Sequence, residues 1–86
     1  MSLDDRSGKI NRDSATPVAD QVARDLAEEI SSGGIRPDSR LPSEAELAAQ
    51  YGVARVTVRR AVAKLREEGL VVTVHGRGTF TKPQGE

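Results

Sequence analysis

Cysteine and tryptophan are absent from this chain, and its aromatic complement is one tyrosine, Tyr51, and one phenylalanine, Phe80. Without cysteine there can be no disulfide, thiolate nucleophile or sulfur-ligated metal, a composition that suits a reducing compartment. His75 is the only histidine; with no second imidazole beside it, neither a metal nor a cofactor is expected. Two aromatics make no platform on which successive bases could stack, which argues against single-strand nucleic-acid binding. Long apolar runs are missing as well. Nothing approaches the roughly 20 residues needed to cross a bilayer, and MSLDDRSGKINRDS has neither the basic start nor the apolar core of a secretory signal. A cytoplasmic protein without membrane attachment is the expectation.

The 86 residues suffice for one small domain. Such a domain buries only about 60% of its unfolded surface, which leaves little stability for a deep catalytic pocket. No paired acids, no nucleophile beside a base and no phosphate-cradling loop occur, so the chain is not expected to be an enzyme. Formal net charge is zero, yet the charge is polarised. Up to Gly52 six bases stand against ten acids, and from Val53 onward seven bases stand against three acids. The basic half is the candidate polyanion face.

Residues 1–15 are polar, charged and aperiodic, and read as a flexible arm. Thr16 and Pro17 make an N-cap and first-turn pair for a first helix. Its apolar stripe is Val18, Val22, Leu26 and Ile30, with Asp20, Arg24, Asp25 and Glu28 on the solvated side and Gly33–Gly34 as the stop. IRPDSRLP is a redirecting loop with a Pro37-Asp38 turn signal. Ser43 with Glu46 is a capping box for a short second helix whose apolar face is Leu47, Ala48 and Tyr51, ended by Gly52. A third helix packs through Val58, Ala61, Val62 and Leu65 and ends at Gly69. LVVTVHGRGTFTK then reads as a β-hairpin with strands over 70–74 and 78–82, Leu70, Val72, Val74 and Phe80 facing the helices and Thr73, Thr79 and Thr81 facing out. Pro83 onward is a frayed end. The fold class expected is mainly α with a small hairpin, a winged helix-turn-helix: three helices followed by a two-stranded wing over residues 16–82.

On that frame the third helix presents Arg55, Thr57 and Arg59 away from its apolar stripe, and Arg60 further round. Arg55 and Arg59 stand one turn apart, so both can point into one major groove, where arginine on guanine O6 and N7 is the commonest specific contact. Thr57 suits a phosphate or a thymine methyl, and Arg60 a phosphate. At the wing, Gly76 and Gly78 around Arg77 let the backbone turn sharply and approach a minor groove; His75 beside them suits a phosphate or base-edge contact. Lys64 and Arg66 sit among Glu67 and Glu68 and read as helix-surface ion-pair partners.

LPSEAELAAQYGVARVTVRRAVAKLREEGLV followed by HGRGTF, residues 41–80, closely resembles the DNA-binding domain of the GntR family of bacterial transcriptional regulators, and with the first helix the resemblance covers 17–82. The TVRRA and GRGTF spellings look like its HutC-type branch. The resemblance implies a homodimeric repressor or activator on a short palindromic duplex operator, with DNA contacts from Arg55 and its flanking residues, Arg59, and His75, Gly76 and Arg77. Ser43, Arg60 and the wing are expected on phosphates or at the minor groove. Two positions depart from the family pattern: Ala45 stands where an arginine usually holds a phosphate, and Ala54 where a serine or threonine usually caps. The family also places an effector-binding, dimerising domain after the wing, so response to a small molecule is expected only with such a further domain. The other reading of the same elements is a winged-helix module that binds protein and leaves DNA alone; it calls for an apolar patch on the third helix.

Overall fold

The computed structural model describes residues 5–83; the readings of residues 1–4 as arm and 84–86 as frayed end lie outside them. Three helices, α1 (Val18–Ser32), α2 (Glu44–Tyr51) and α3 (Arg55–Glu67), precede an antiparallel hairpin of β1 (Val71–Val74) and β2 (Gly78–Thr81). Each helix forms where its apolar side chains recur on one face. Val22 and Leu26 of α1, Leu47 and Tyr51 of α2, and Val58 and Leu65 of α3 are all no more than 1% exposed. Ile35 and Leu41 from the connecting loop and Val71 from β1 close the same core. Each fully buried side chain of this kind contributes about 1.5–3 kcal/mol of transfer free energy, which holds the three helices together in a chain without cysteine.

The stops are local. Gly33 (φ 89°) and Gly52 (φ 67°) take the left-handed conformation at the ends of α1 and α2, a region glycine enters without the steric penalty of a Cβ. In α2 the capping box is complete: Ser43 Oγ accepts from the Glu46 N–H at 3.1 Å, and the Ser43 N–H donates to Glu46 Oε1 at 2.8 Å. The start of α1 differs from expectation by one residue. Pro17, not Thr16, occupies the cap position with ψ at 144°, and no side chain caps it. Thr16 is drawn back instead, its N–H donating to Ser14 Oγ and its carbonyl accepting from Gln21 Nε2.

Residues 6–12 correct the reading of a free arm. Ser7–Lys9 form a short 3-10 turn, the Arg6 N–H donates to the Gln50 carbonyl at 2.6 Å, and Arg6 Nε donates to Asp25 Oδ2 at 2.7 Å. Asn11 exchanges hydrogen bonds with the Gln21 side chain, and Arg12 donates to the carbonyl of Gly52. The segment is tied to α1 and to the turn between α2 and α3. Asp25 therefore does not lie on a solvated face: it is 8% exposed, with Tyr51 Oη donating to its Oδ2 at 2.6 Å.

The wing also presents the opposite face from the one expected. Val71 and Thr81 pair across the hairpin and are both buried, whereas Val72 and Val74 are about 40% exposed. The cause is a third backbone segment. Leu41 N–H donates to the Thr79 carbonyl and Thr81 N–H to the Ser39 carbonyl, each at 2.8 Å, so β2 is flanked on both edges. Thr81 Oγ1 then donates to the Arg36 carbonyl at 2.6 Å and accepts from Ser39 N–H, which satisfies the hydroxyl inside the protein. Because side chains alternate along a strand, burying Thr81 and Val71 turns Val72, Val74 and Phe80 to the other face. Gly78 holds φ at 120°, and a Cβ there would lie 3.1 Å from Arg40 Nε. Gly78→Ala should therefore destabilise the domain by about 1–2 kcal/mol, seen as a lower urea midpoint with an unchanged slope; an unchanged midpoint would contradict it.

Candidate nucleic-acid interface

The two helix N-termini on the basic side are built differently. α2 has its serine cap and two acids, Glu44 and Glu46, in the first turn, which neutralise the positive end of the helix. α3 has Ala54 at the cap, no side-chain cap hydrogen bond and no acid in its first turn, and it opens on Arg55. A base at a helix N-terminus opposes the helix dipole, so the start of α3 is an unneutralised positive end. Breaking this local rule weakens the helix and readies the terminus for an anion.

Arg55, Arg59 and Arg60 are exposed and Thr57 is half-buried, so the expected edge of α3 faces outward. Arg59 is held in place: its Nε and Nη2 both reach the Glu44 carboxylate at 3.0 Å, a two-pronged pair between α3 and the first turn of α2. The hydrogen bond from Arg59 keeps the Glu44 carboxyl below the usual carboxylate range, slight burial works the other way, and the charges of Arg59 and Arg55 reinforce the lowering. Glu44 escaped the sequence reading. Its signal was only that of an acid suited to a helix start, and its partner lies 15 residues away. Ser43 is exposed; its Oγ accepts the cap hydrogen bond, which leaves the hydroxyl proton to donate. Among the described residues Arg55, Arg60 and Arg77 form no ion pair.

The wing places His75, Gly76 and Arg77 together and exposed in a three-residue connection between paired Val74 and Gly78. Gly76 supplies the positive φ of 76° that the turn needs, and Arg77 N–H donates to the Val74 carbonyl at 2.9 Å to close it. Between α3 and the wing runs a cleft of about 310 Å³, lined by Ser43, Arg59, Arg66, Thr73 and Thr79 among others. The reading of Lys64 and Arg66 as partners of nearby glutamates is corrected. Lys64 Nζ lies 3.3 Å from Asp20 Oδ1 on α1, and Arg66 Nε donates to Thr73 Oγ1 on the wing at 3.2 Å, because the tertiary packing brings these partners from α1 and the wing within reach.

A basic helix edge following a capped short helix and a tight turn, with a wing beside it, defines a winged helix-turn-helix DNA-binding domain. The model of the bacterial regulatory proteins of the gntR family matches residues 18–81, and the chain belongs to that family of transcription regulators. It is 45% identical over 78 residues to the HTH-type transcriptional repressor NagR of Bacillus subtilis (strain 168), covering 90% of this chain and 32% of that protein. It is likewise 45% identical over 76 residues to the histidine utilization repressor of Klebsiella aerogenes, covering 87% of this chain and 32% of the relative. The chain thus spans about a third of the length of these curated relatives. Among solved structures, the AraR DNA-binding domain in complex with operator ORX1 superposes with a TM-score of 0.73 at 41% identity, covering 77% of this chain and 80% of that one. YtrA from Sulfolobus acidocaldarius, a GntR-family transcription factor, superposes with a TM-score of 0.81 at 38% identity, covering 90% and 81%. Among the described residues no helix is long and apolar enough to cross a membrane.

Proposed function

We propose that this domain represses transcription in the cytoplasm by holding a palindromic duplex operator as a homodimer, with α3 in the major groove and the wing at the adjacent minor groove. The observation that carries the reading is the outward edge of α3, where Arg55 and the Glu44-held Arg59 stand one turn apart beside an uncapped helix start. The relatives support it: NagR and the histidine utilization protein are named repressors, and the AraR domain was solved on operator DNA. In this assignment Arg55 and Arg59 read base edges, and Thr57 meets a phosphate or a thymine methyl. Ser43 and Arg60 hold phosphates, and His75, Gly76 and Arg77 enter or border the minor groove. A small-molecule effector would act through a further domain.

The protein-binding alternative needs an apolar patch on α3. Among the described residues Val56 is the one large apolar side chain that α3 exposes, and arginine precedes it. Titrating palindromic and scrambled duplexes of equal length, with the stoichiometry read by sedimentation, tests the proposal. Two chains per palindrome and tighter binding to one half-site spelling are expected, and equal affinity for all sequences would overturn base reading. Arg77→Ala should lower the slope of log affinity against log salt by roughly 0.9, the value of one phosphate contact on B-DNA; an unchanged slope would remove the wing from the interface.

A further inference from the structure

Arg66 is the penultimate residue of α3, exposed and, among the described residues, without a carboxylate within ion-pair distance. It is nonetheless not loose. Its Nε donates to Thr73 Oγ1 at 3.2 Å, and Thr73 Oγ1 in turn lies 3.1 Å from Thr79 Oγ1 on the paired strand. The guanidinium is therefore aimed by a hydroxyl pair across the wing, along the cleft that separates the wing from α3. An arginine oriented through Nε keeps both Nη groups for a forked contact to an anion. Arg66 shares the lining of that cleft with Arg59, two turns nearer the start of α3. Thr73 stands two residues before the wing turn, roughly 7 Å along the strand at about 3.3 Å per residue.

A helix in a major groove and a wing in the neighbouring minor groove straddle one sugar-phosphate strand. That strand would cross the mouth of this cleft. We propose that Arg66, positioned by Thr73 and Thr79, is an anchor for a DNA backbone phosphate lying between the recognition helix and the wing. The inference rests on the duplex-binding reading above and adds to it a contact that positions the strand without reading its sequence.

The test compares the unaltered chain with Arg66→Ala, Arg66→Lys and Thr73→Val on operator and scrambled duplexes over a range of salt, each variant first checked for an unchanged circular-dichroism spectrum. Arg66→Ala should weaken binding to both duplexes by the same factor and lower the log-log salt slope by roughly 0.9. Arg66→Lys should keep the slope and lose part of the affinity, since a point charge lacks the fork. Thr73→Val should weaken both duplexes with every arginine still present. Unchanged affinity and slope in Arg66→Ala would overturn the anchor while leaving the duplex-binding reading intact. A loss confined to the operator would overturn it in favour of base reading, and failure of the unaltered chain to bind any duplex would overturn both. Inorganic phosphate added at constant ionic strength should leave the Arg66 Nε–H resonance in place while duplex shifts it; the reverse would assign the site to free phosphate and overturn the backbone contact.

Discussion

Asp25→Ala should lower the melting midpoint of the domain by roughly 10–20 °C, the equivalent of about 2–3 kcal/mol in a chain of this size. Asp25 Oδ2 accepts from Tyr51 Oη at 2.6 Å and from Arg6 Nε at 2.7 Å. Truncation strands a phenol hydroxyl on a residue that is 0% exposed, and a buried donor without a partner costs about 1–3 kcal/mol by itself. It also removes the main acceptor of Arg6, whose remaining carboxylate is Glu29 at 3.0 Å, so the docked segment of residues 6–12 loosens with it. Asp25→Asn keeps the shape and an acceptor oxygen and should lose less.

The same site has a pH signature. Burial pushes the Asp25 carboxyl up, but hydrogen bonds from Arg6 and Tyr51 and the Arg6 charge outweigh it, and the net direction is down. A carboxyl whose folded pKa is depressed stabilises the fold fully above its unfolded value, about 3.9, and the contribution disappears as pH falls through the folded pKa. The gap in unfolding free energy between the native chain and Asp25→Ala should therefore be widest near neutrality and narrow below about pH 4. Urea unfolding at neutral and acid pH reads this directly. A constant gap would show that the carboxylate charge plays no part.

Replacing Arg55 or Arg59 by alanine should reduce affinity for the operator by about ten- to a hundredfold, the usual discrimination of one bidentate arginine–guanine contact. Scrambled duplex should lose only the share due to one positive charge. An equal loss on both duplexes would reassign the side chain to a phosphate. The Glu44 pairing refines the prediction for Arg59. Arginine carries several rotatable bonds, and holding its fork at two oxygens 3.0 Å away sets its direction before DNA arrives, lowering the ordering entropy that binding must supply. Glu44→Gln should weaken that hold while removing a negative charge from the DNA face. Affinity for scrambled duplex should then rise and selectivity for the operator fall, a combination that simple loss of fold would not produce. Unchanged selectivity would mean that Glu44 has no positioning role.

The features read correctly from the sequence share a range of a few residues. The Ser43–Glu46 capping box, the left-handed stops at Gly33 and Gly52, and the apolar stripes of α1 and α3 are decided by neighbours within one helical turn. The outward placement of Arg55, Arg59 and Arg60 follows from the same periodicity, since a helix that buries Val58, Ala61, Val62 and Leu65 must turn them away. The misread features span more chain. In VVTV both faces of the strand offer valine, so alternation alone could not choose between them. Asp25 looked like one more charge on a polar face, and nothing near Arg6 or Arg66 in the chain announces Asp25 or Thr73 as partners.

What the sequence by itself determined, then, is the winged helix-turn-helix order and the basic edge of α3, because hydrophobic period, capping and glycine stops act locally and do not depend on the rest of the fold. What only the tertiary structure decided is which groups meet across it. The loop segment beside β2 buries Thr81 and sends Val72 and Val74 outward. Packing of α1 and α2 on α3 brings the Tyr51 hydroxyl to Asp25 and gives Arg6 a carboxylate to dock on, while the approach of α2 and the wing to α3 places Glu44 behind Arg59 and Thr73 beside Arg66. A buried hydroxyl or carboxylate must find its partner wherever the packed elements bring one, and that choice belongs to the assembled core and not to any stretch of the chain.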